Sequence, residues 1–198
     1  MPAMPDVLNS GFTDAVHQSQ QVFRCVLEAM SRPGRIIDLP DNDFQPPDGL
    51  GKGAAQIALT LLDFETAVWL DADANQAHNY LTFHCGCRVV TETQQAQYLL
   101  ISDAAAFDHL RDLHIGTDEH PEIAATVIIE VAGLSNEGGT RLRGPGIDGN
   151  SHLHIGNAPQ TLWQRVADNA ALFPRGIDLI LTCGNRIAAI PRSTRLEP

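Results

Sequence analysis

Apolar residues recur along the first part of the chain at intervals of three, four and seven: Phe12, Val16, Phe23, Val26, Leu27 and Met30. That spacing puts them on one side of a helix. Thr13 and Asp14 supply polar groups at its start, and Pro33-Gly34 ends it. A short strand is predicted over 35–39. A loop rich in Pro, Gly and Asp follows over 40–53 and reads as a solvent-exposed connection. Residues 54–62 are nearly apolar on every side, which predicts a helix buried all round. Strands are predicted over 67–70, 88–90 and 97–101. Helices are predicted over 74–84, carrying Tyr80, Leu81 and Phe83, and over 104–113.

Residues 126–131 make the strongest strand signal, β-branched and apolar between turn residues. Residues 140–147 read as extended up to Gly144-Pro145-Gly146. Residues 158–171 read as a helix with Leu162, Trp163, Val166 and Ala170 on one face and Pro159 in the first turn. Two further strands, over 177–183 and 186–190, flank Gly184-Asn185. A two-residue loop with Gly first predicts a type II′ hairpin. Strands and helices alternate and close on this hairpin, which favours an α/β sandwich with a mixed sheet. No repeat, low-complexity tract or linker divides the chain. Residues 1–11 are expected to form a loose arm and residues 12–198 one α/β domain.

Composition narrows the function. A chain of 198 residues buries roughly 70% of its unfolded surface, so the core needs no disulfide or metal. The net charge of −11 repels phosphate backbones and anionic membranes, and no nucleic-acid or membrane partner is expected. A local arginine cluster can still hold a small anion, and the chain has 12 Arg against one lysine, Lys52. No signal peptide or membrane-spanning run is read, so the expected location is cytoplasmic. There Cys25, Cys85, Cys87 and Cys183 stay reduced.

Few residues carry chemistry. Gly49-Leu50-Gly51-Lys52-Gly53 precedes a helix, as phosphate loops do, but the Ser/Thr that should follow the lysine is missing. His84, Cys85 and Cys87, and the pair His152 and His154, are zinc-binding types, but their spacing is not that of structural zinc sites. No metal and no cofactor are expected. Asp178 sits in an apolar strand, where a salt bridge to Arg175 or Arg192 explains it better than an acid–base role. Arg141 and Arg143, two apart on a strand, share one face beside Gly144-Pro145-Gly146. The plainer reading is a solvated edge strand with surface ion pairs. The pair is also the best candidate anion-binding site in the chain. No catalytic residue is identified.

The run FPRGIDLILTCGNRIAAIPRSTRLE from Phe173 resembles the end of PhnH-family proteins. FRCVLEAMSRPGRI from Phe23, LTLLDFETAVWL from Leu59 and LRGPGI from Leu142 resemble the same family in the same order. After Phe83-His84 the family usually continues differently from Cys85-Gly86-Cys87-Arg88, so the two cysteines look like local variation. The resemblance implies an α/β/α sandwich with a mixed sheet. That fold is related to the large domain of pyridoxal-phosphate aminotransferases, without the cofactor: that chemistry requires a lysine Schiff base, and Lys52 stands in an early loop. It also implies a homodimer and a core complex with the PhnG, PhnI and PhnJ subunits. That system joins methylphosphonate to the ribose of ATP as adenine leaves, ahead of carbon–phosphorus bond cleavage. The expected role is a subunit without catalysis of its own. The alternatives are a nucleotide- or phosphonate-binding subunit that contributes to nucleoside transfer, and a free-standing degenerate aminotransferase-like enzyme.

Overall fold

We obtained a computed structural model of the chain, which describes residues 9–107, 110 and 112–197. Helix α1 (Ala15–Ser31) leads to β1 (Ile37–Asp38), α2 (Lys52–Leu61), β2 (Ala67–Leu70), α3 (His78–Cys85), β3 (Arg88–Val90) and β4 (Tyr98–Ile101). There follow α4 (Ala104–Phe107), β5 (Thr126–Glu130), β6 (Gly133–Arg143), β7 (Ser151–Gly156), α5 (Gln160–Ala170), β8 (Asp178–Cys183), β9 (Arg186–Ile190) and β10 (Arg195–Glu197). The main sheet has seven strands in the order β1-β9-β8-β5-β4-β2-β3. Its pairs from β3 to β8 are parallel, whereas β9 joins β8, and β1 joins β9, antiparallel. The mixed sheet expected from the sequence is therefore present.

Alternation along each strand decides the layers. Leu70, Leu100, Ile128, Ile180 and Ala189 stand in register across five strands and pack against α1, α2 and α3. Ile101, Ile129, Leu181 and Ala188 make a matching row on the other face. Helices alone do not cover that second face. A three-stranded antiparallel sheet, ordered β10-β6-β7, lies over it with α4 and α5. Leu134, Leu142, Leu153 and Ile155 are its inward residues. The helix–sheet–helix expectation is corrected here: the second outer layer is part sheet. Gly138 and Gly139, both at positive φ, accompany a register shift between Ser135 and Thr140. That bulge hides the first half of β6 from a search for strict alternation.

Local sequence explains most boundaries. The Asp14 side chain caps α1 by accepting from His17 N–H. Gly184 has φ +58 and Asn185 does not share the positive sign, as a type II′ turn requires. The helix expected over 104–113 is helical only at Ala104–Phe107; residues 108, 109 and 111 fall outside the described residues. Leu110 is not helical and Asp112 has φ +55, which a continuing helix cannot accommodate. The loop over 40–51 is not simply solvent-exposed, because Asn42, Phe44 and Leu50 are buried in it. Of the expected N-terminal arm, residues 9–11 are described and tied down. Asn9 Nδ2 donates to Pro46 O at 2.9 Å, and Tyr80 O–H donates to Ser10 O at 3.3 Å.

Strand β8 is covered on both faces, so its residues should dominate stability. Leu181→Ala should cost about 2–5 kcal/mol in urea denaturation. Phe83→Ala, at a residue 70% exposed, should change stability by less than about 0.5 kcal/mol. Equal effects of the two would contradict the layer assignment.

Candidate functional site

The outer face of the small sheet gathers charge. Leu142 is fully buried, so Arg141 and Arg143 on either side of it both point outward, as their spacing predicts. Strand β10 lies antiparallel to β6 and sets Glu197 opposite Arg141 and Arg195 opposite Arg143. On the other side of β6, His152 stands opposite Arg141. Arg141 Nη2 lies 3.1 Å from Glu197 Oε2, whereas Arg143 Nη1 reaches only to 4.0 Å from Glu197 Oε1. Arg195 has no ion pair among the described residues. A cleft of about 680 Å³ opens beside Arg143 and Arg195, walled by Gly144, Pro145, Ser193, Ala170 and Phe173. The turn that forms one wall is fixed by a close approach: a Cβ on Gly146 would lie 2.0 Å from Ser31 O.

Sequence reasoning found Arg141 and Arg143 but not Arg195 and Glu197. The available signal was the alternation Arg195-Leu196-Glu197, charged residues flanking a leucine two residues from the end. In a strand of three residues that pattern is too short to register.

The glycine loop at the start of α2 is already occupied. Gly51 N–H donates to Glu130 Oε2 at 3.0 Å, and Gly53 N–H donates to Gly184 O at 2.9 Å. A Cβ on Gly51 would meet the Glu130 carboxylate at 2.0 Å, so the glycine makes room for an internal anion where a phosphate loop would leave space. Lys52 Nζ is bound to Asp41 Oδ1 at 2.6 Å. Burial pushes the Glu130 pKa up, against the opposing effect of the Gly51 N–H.

The remaining candidates have structural partners. His84 Nε2 lies 3.0 Å from Asn9 O, and its ring centroid is 4.4 Å from that of Tyr80. The Cys85 thiol is held well above its ordinary pKa by its hydrogen bond with Cys87 and by burial. Among the described residues no three His, Cys, Asp or Glu side chains converge as a metal site needs. Asp178 pairs with Arg192, Oδ2 to Nη2 at 2.5 Å, and its Oδ1 accepts the Arg192 backbone N–H at 2.8 Å. Arg192 also donates to Pro121 O. Arg175 pairs instead with Asp118 at 3.2 Å.

The fold and site define an α/β protein with a mixed sheet whose chief charged feature is a patch of arginines on a small side sheet. The chain belongs to the PhnH family, described as bacterial phosphonate metabolism protein (PhnH), whose family model matches residues 10–197. It is 34% identical over 201 residues to a Rhizobium meliloti (strain 1021) protein named "Alpha-D-ribose 1-methylphosphonate 5-triphosphate synthase subunit PhnH". That match covers 100% of this chain and 99% of the relative. It is 28% identical over 180 residues to a Stutzerimonas stutzeri protein named "Putative C-P lyase subunit protein HtxG", covering 91% of this chain and 86% of that one.

Glu130 gives a pH test. Its raised pKa means that the folded chain keeps this proton to higher pH than the unfolded chain does. The stability gained is full below the ordinary value of 4.5 and is lost as pH rises through the raised value. Glu130→Gln keeps an acceptor for Gly51 N–H but does not ionise. The variant should therefore gain on the parent as pH rises. The difference in Tm between variant and parent should be larger at pH 7.5 than at pH 4. A difference that does not change with pH would show that Glu130 ionises as freely as in the unfolded chain.

Proposed function

We propose that this chain is a non-catalytic subunit of the assembly that forms α-D-ribose 1-methylphosphonate 5-triphosphate from ATP and methylphosphonate, in carbon–phosphorus lyase catabolism of organic phosphonates. The observation that carries the reading is the end-to-end similarity to a protein named as a subunit of that synthase. The site chemistry supports it. The one lysine is bound to Asp41, and the Asp178 carboxylate is committed to Arg192. A half-buried ion pair of this kind has a structural use without any catalytic one.

The partners proposed are a second copy of the chain and the PhnG, PhnI and PhnJ subunits, in the cytoplasm. No helix among the described residues is long and apolar enough to cross a membrane. An assembly contact and a dimer contact each need apolar surface, and the chain exposes apolar residues on more than one element. Val16, Phe23 and Leu27 make an exposed stripe on α1, while Phe83 on α3 and Phe64, beside Gly86, are exposed apolar residues away from it. We further propose that residues 12–198 form a single domain, related to the large domain of pyridoxal-phosphate aminotransferases but without their cofactor lysine.

Tagged protein co-expressed with PhnG, PhnI and PhnJ should co-purify with them at low salt, through a contact of at least about 1,200 Å². A deletion strain should fail to grow on methylphosphonate as sole phosphorus source. Absence of co-purification together with unimpaired growth would overturn the reading. In isolation the protein should scatter light as a dimer at micromolar concentration, and a monomer there would remove the second copy from the proposal.

A further inference from the structure

We propose that the cleft beside the β6–β10 pair binds a small organic phosphate or phosphonate, its charged head held between Arg143 and Arg195 and its organic part against Phe173. The inference deepens the functional reading, since it rests on this chain serving phosphonate chemistry, and it moves the anion site one pair along from Arg141 and Arg143.

The argument begins with register. Arg195 and Arg143 are direct cross-strand partners, and like charges placed so destabilise a sheet. Among the described residues one carboxylate serves this group of three arginines. Glu197 sits on Arg141 at 3.1 Å and is 4.0 Å from Arg143. Its Oε2 atom is buried yet makes no aligned hydrogen bond. Arg143 keeps a side chain 72% exposed, and the Arg195 side chain has no ion pair or hydrogen bond among the described residues. Among the described residues, then, Arg143 has only this long contact to a carboxylate and the Arg195 side chain has none, on a chain of net charge −11. A doubly charged tetrahedral oxyanion relieves the repulsion by accepting from both forks at once.

The size of the cleft selects the ligand class. About 680 Å³ is far more than a bare inorganic ion fills, and falls in the range of pockets for small organic molecules. Ser193 lines the same cleft, and a serine hydroxyl can donate to an oxyanion. Pro145, Ala170 and the Phe173 ring, 58% exposed, provide an apolar wall.

The test is calorimetric titration of the purified full-length protein at low ionic strength with phenylphosphonate, phenyl phosphate, methylphosphonate, inorganic phosphate and sulfate. Phenylphosphonate or phenyl phosphate should bind more tightly than inorganic phosphate or sulfate, and the stronger of the two identifies whether the head is phosphonate or phosphate ester. Arg143→Ala and Arg195→Ala should each weaken that binding at least about tenfold, with thermal unfolding confirming that both variants are folded. Glu197→Gln removes the competing carboxylate and should tighten it. No saturation below roughly 10 mM, unchanged affinity in Arg195→Ala, or equal affinity for sulfate overturns the proposal. Co-purification with the partner subunits is measured separately. Intact assembly without ligand binding would sink this inference and leave the functional reading standing.

Discussion

The architecture depends on one constraint: the main sheet is apolar on both faces and must be covered on both. Val127 and Ile129 point one way and Ile128 the other, and all three are fully buried. Parallel strands of this kind are stable only between two covering layers. Helices α1, α2 and α3 supply one layer. The other is completed by β6, β7 and β10, whose inward leucines close the core. Because those strands alternate, burying Leu142 and Leu153 obliges Arg141, Arg143 and His152 to face outward. The arginine face is thus a by-product of covering the sheet, and its position follows from core packing.

A second constraint ties the helical layer to the hairpin. Gln56 is fully buried and Asn42 nearly so, and buried amides must be paired. They are linked in a chain. Gln18 Nε2 donates to Asn42 Oδ1 at 2.9 Å, Asn42 Nδ2 to Gln56 Oε1 at 2.7 Å, and Gln56 Nε2 to Asn185 Oδ1 at 2.6 Å. Asn185 then donates to Leu39 O. One relay therefore fixes α1, the long loop, α2 and the β8–β9 turn to each other. This explains why the loop packs inward although its composition reads as solvent-exposed. Composition registers the prolines and aspartates of that loop but not the partner across the fold that makes Asn42 a buried residue.

The same contrast marks how much could be read from the chain. Elements with one dominant period were legible: α1 from its apolar spacing, β5 from its β-branched run, and the closing hairpin from Gly184-Asn185. The second sheet was not, because its longest strand is broken by a glycine bulge and its last has three residues. The site divided likewise. Two arginines on one face could be read from spacing alone. Their neighbours across β10 could not, since Arg195 and Arg143 are separated by about fifty residues of chain and become partners only through long-range register.

The arginines also separate structural from functional charge. Arg192 and Arg141 each meet a carboxylate, and so does Arg35, 3.2 Å from Glu28. Such pairs suit arginine because its planar fork matches a carboxylate, and they need no ligand. Glu130 makes the complementary point, since an internal carboxylate takes the helix N-terminus where an external anion would otherwise compete. In both places the fold uses its own acids to satisfy its anion sites. Glu197 does the same for Arg141, but among the described residues this one carboxylate has to serve Arg143 and Arg195 as well. The excess of positive charge lies at the one point where β10, the end of α5 and the Gly144-Pro145 turn leave an open cleft. Among the described residues Glu197 is the carboxylate that meets this group, and the anion proposed for the cleft relieves the repulsion between the two paired guanidinium groups.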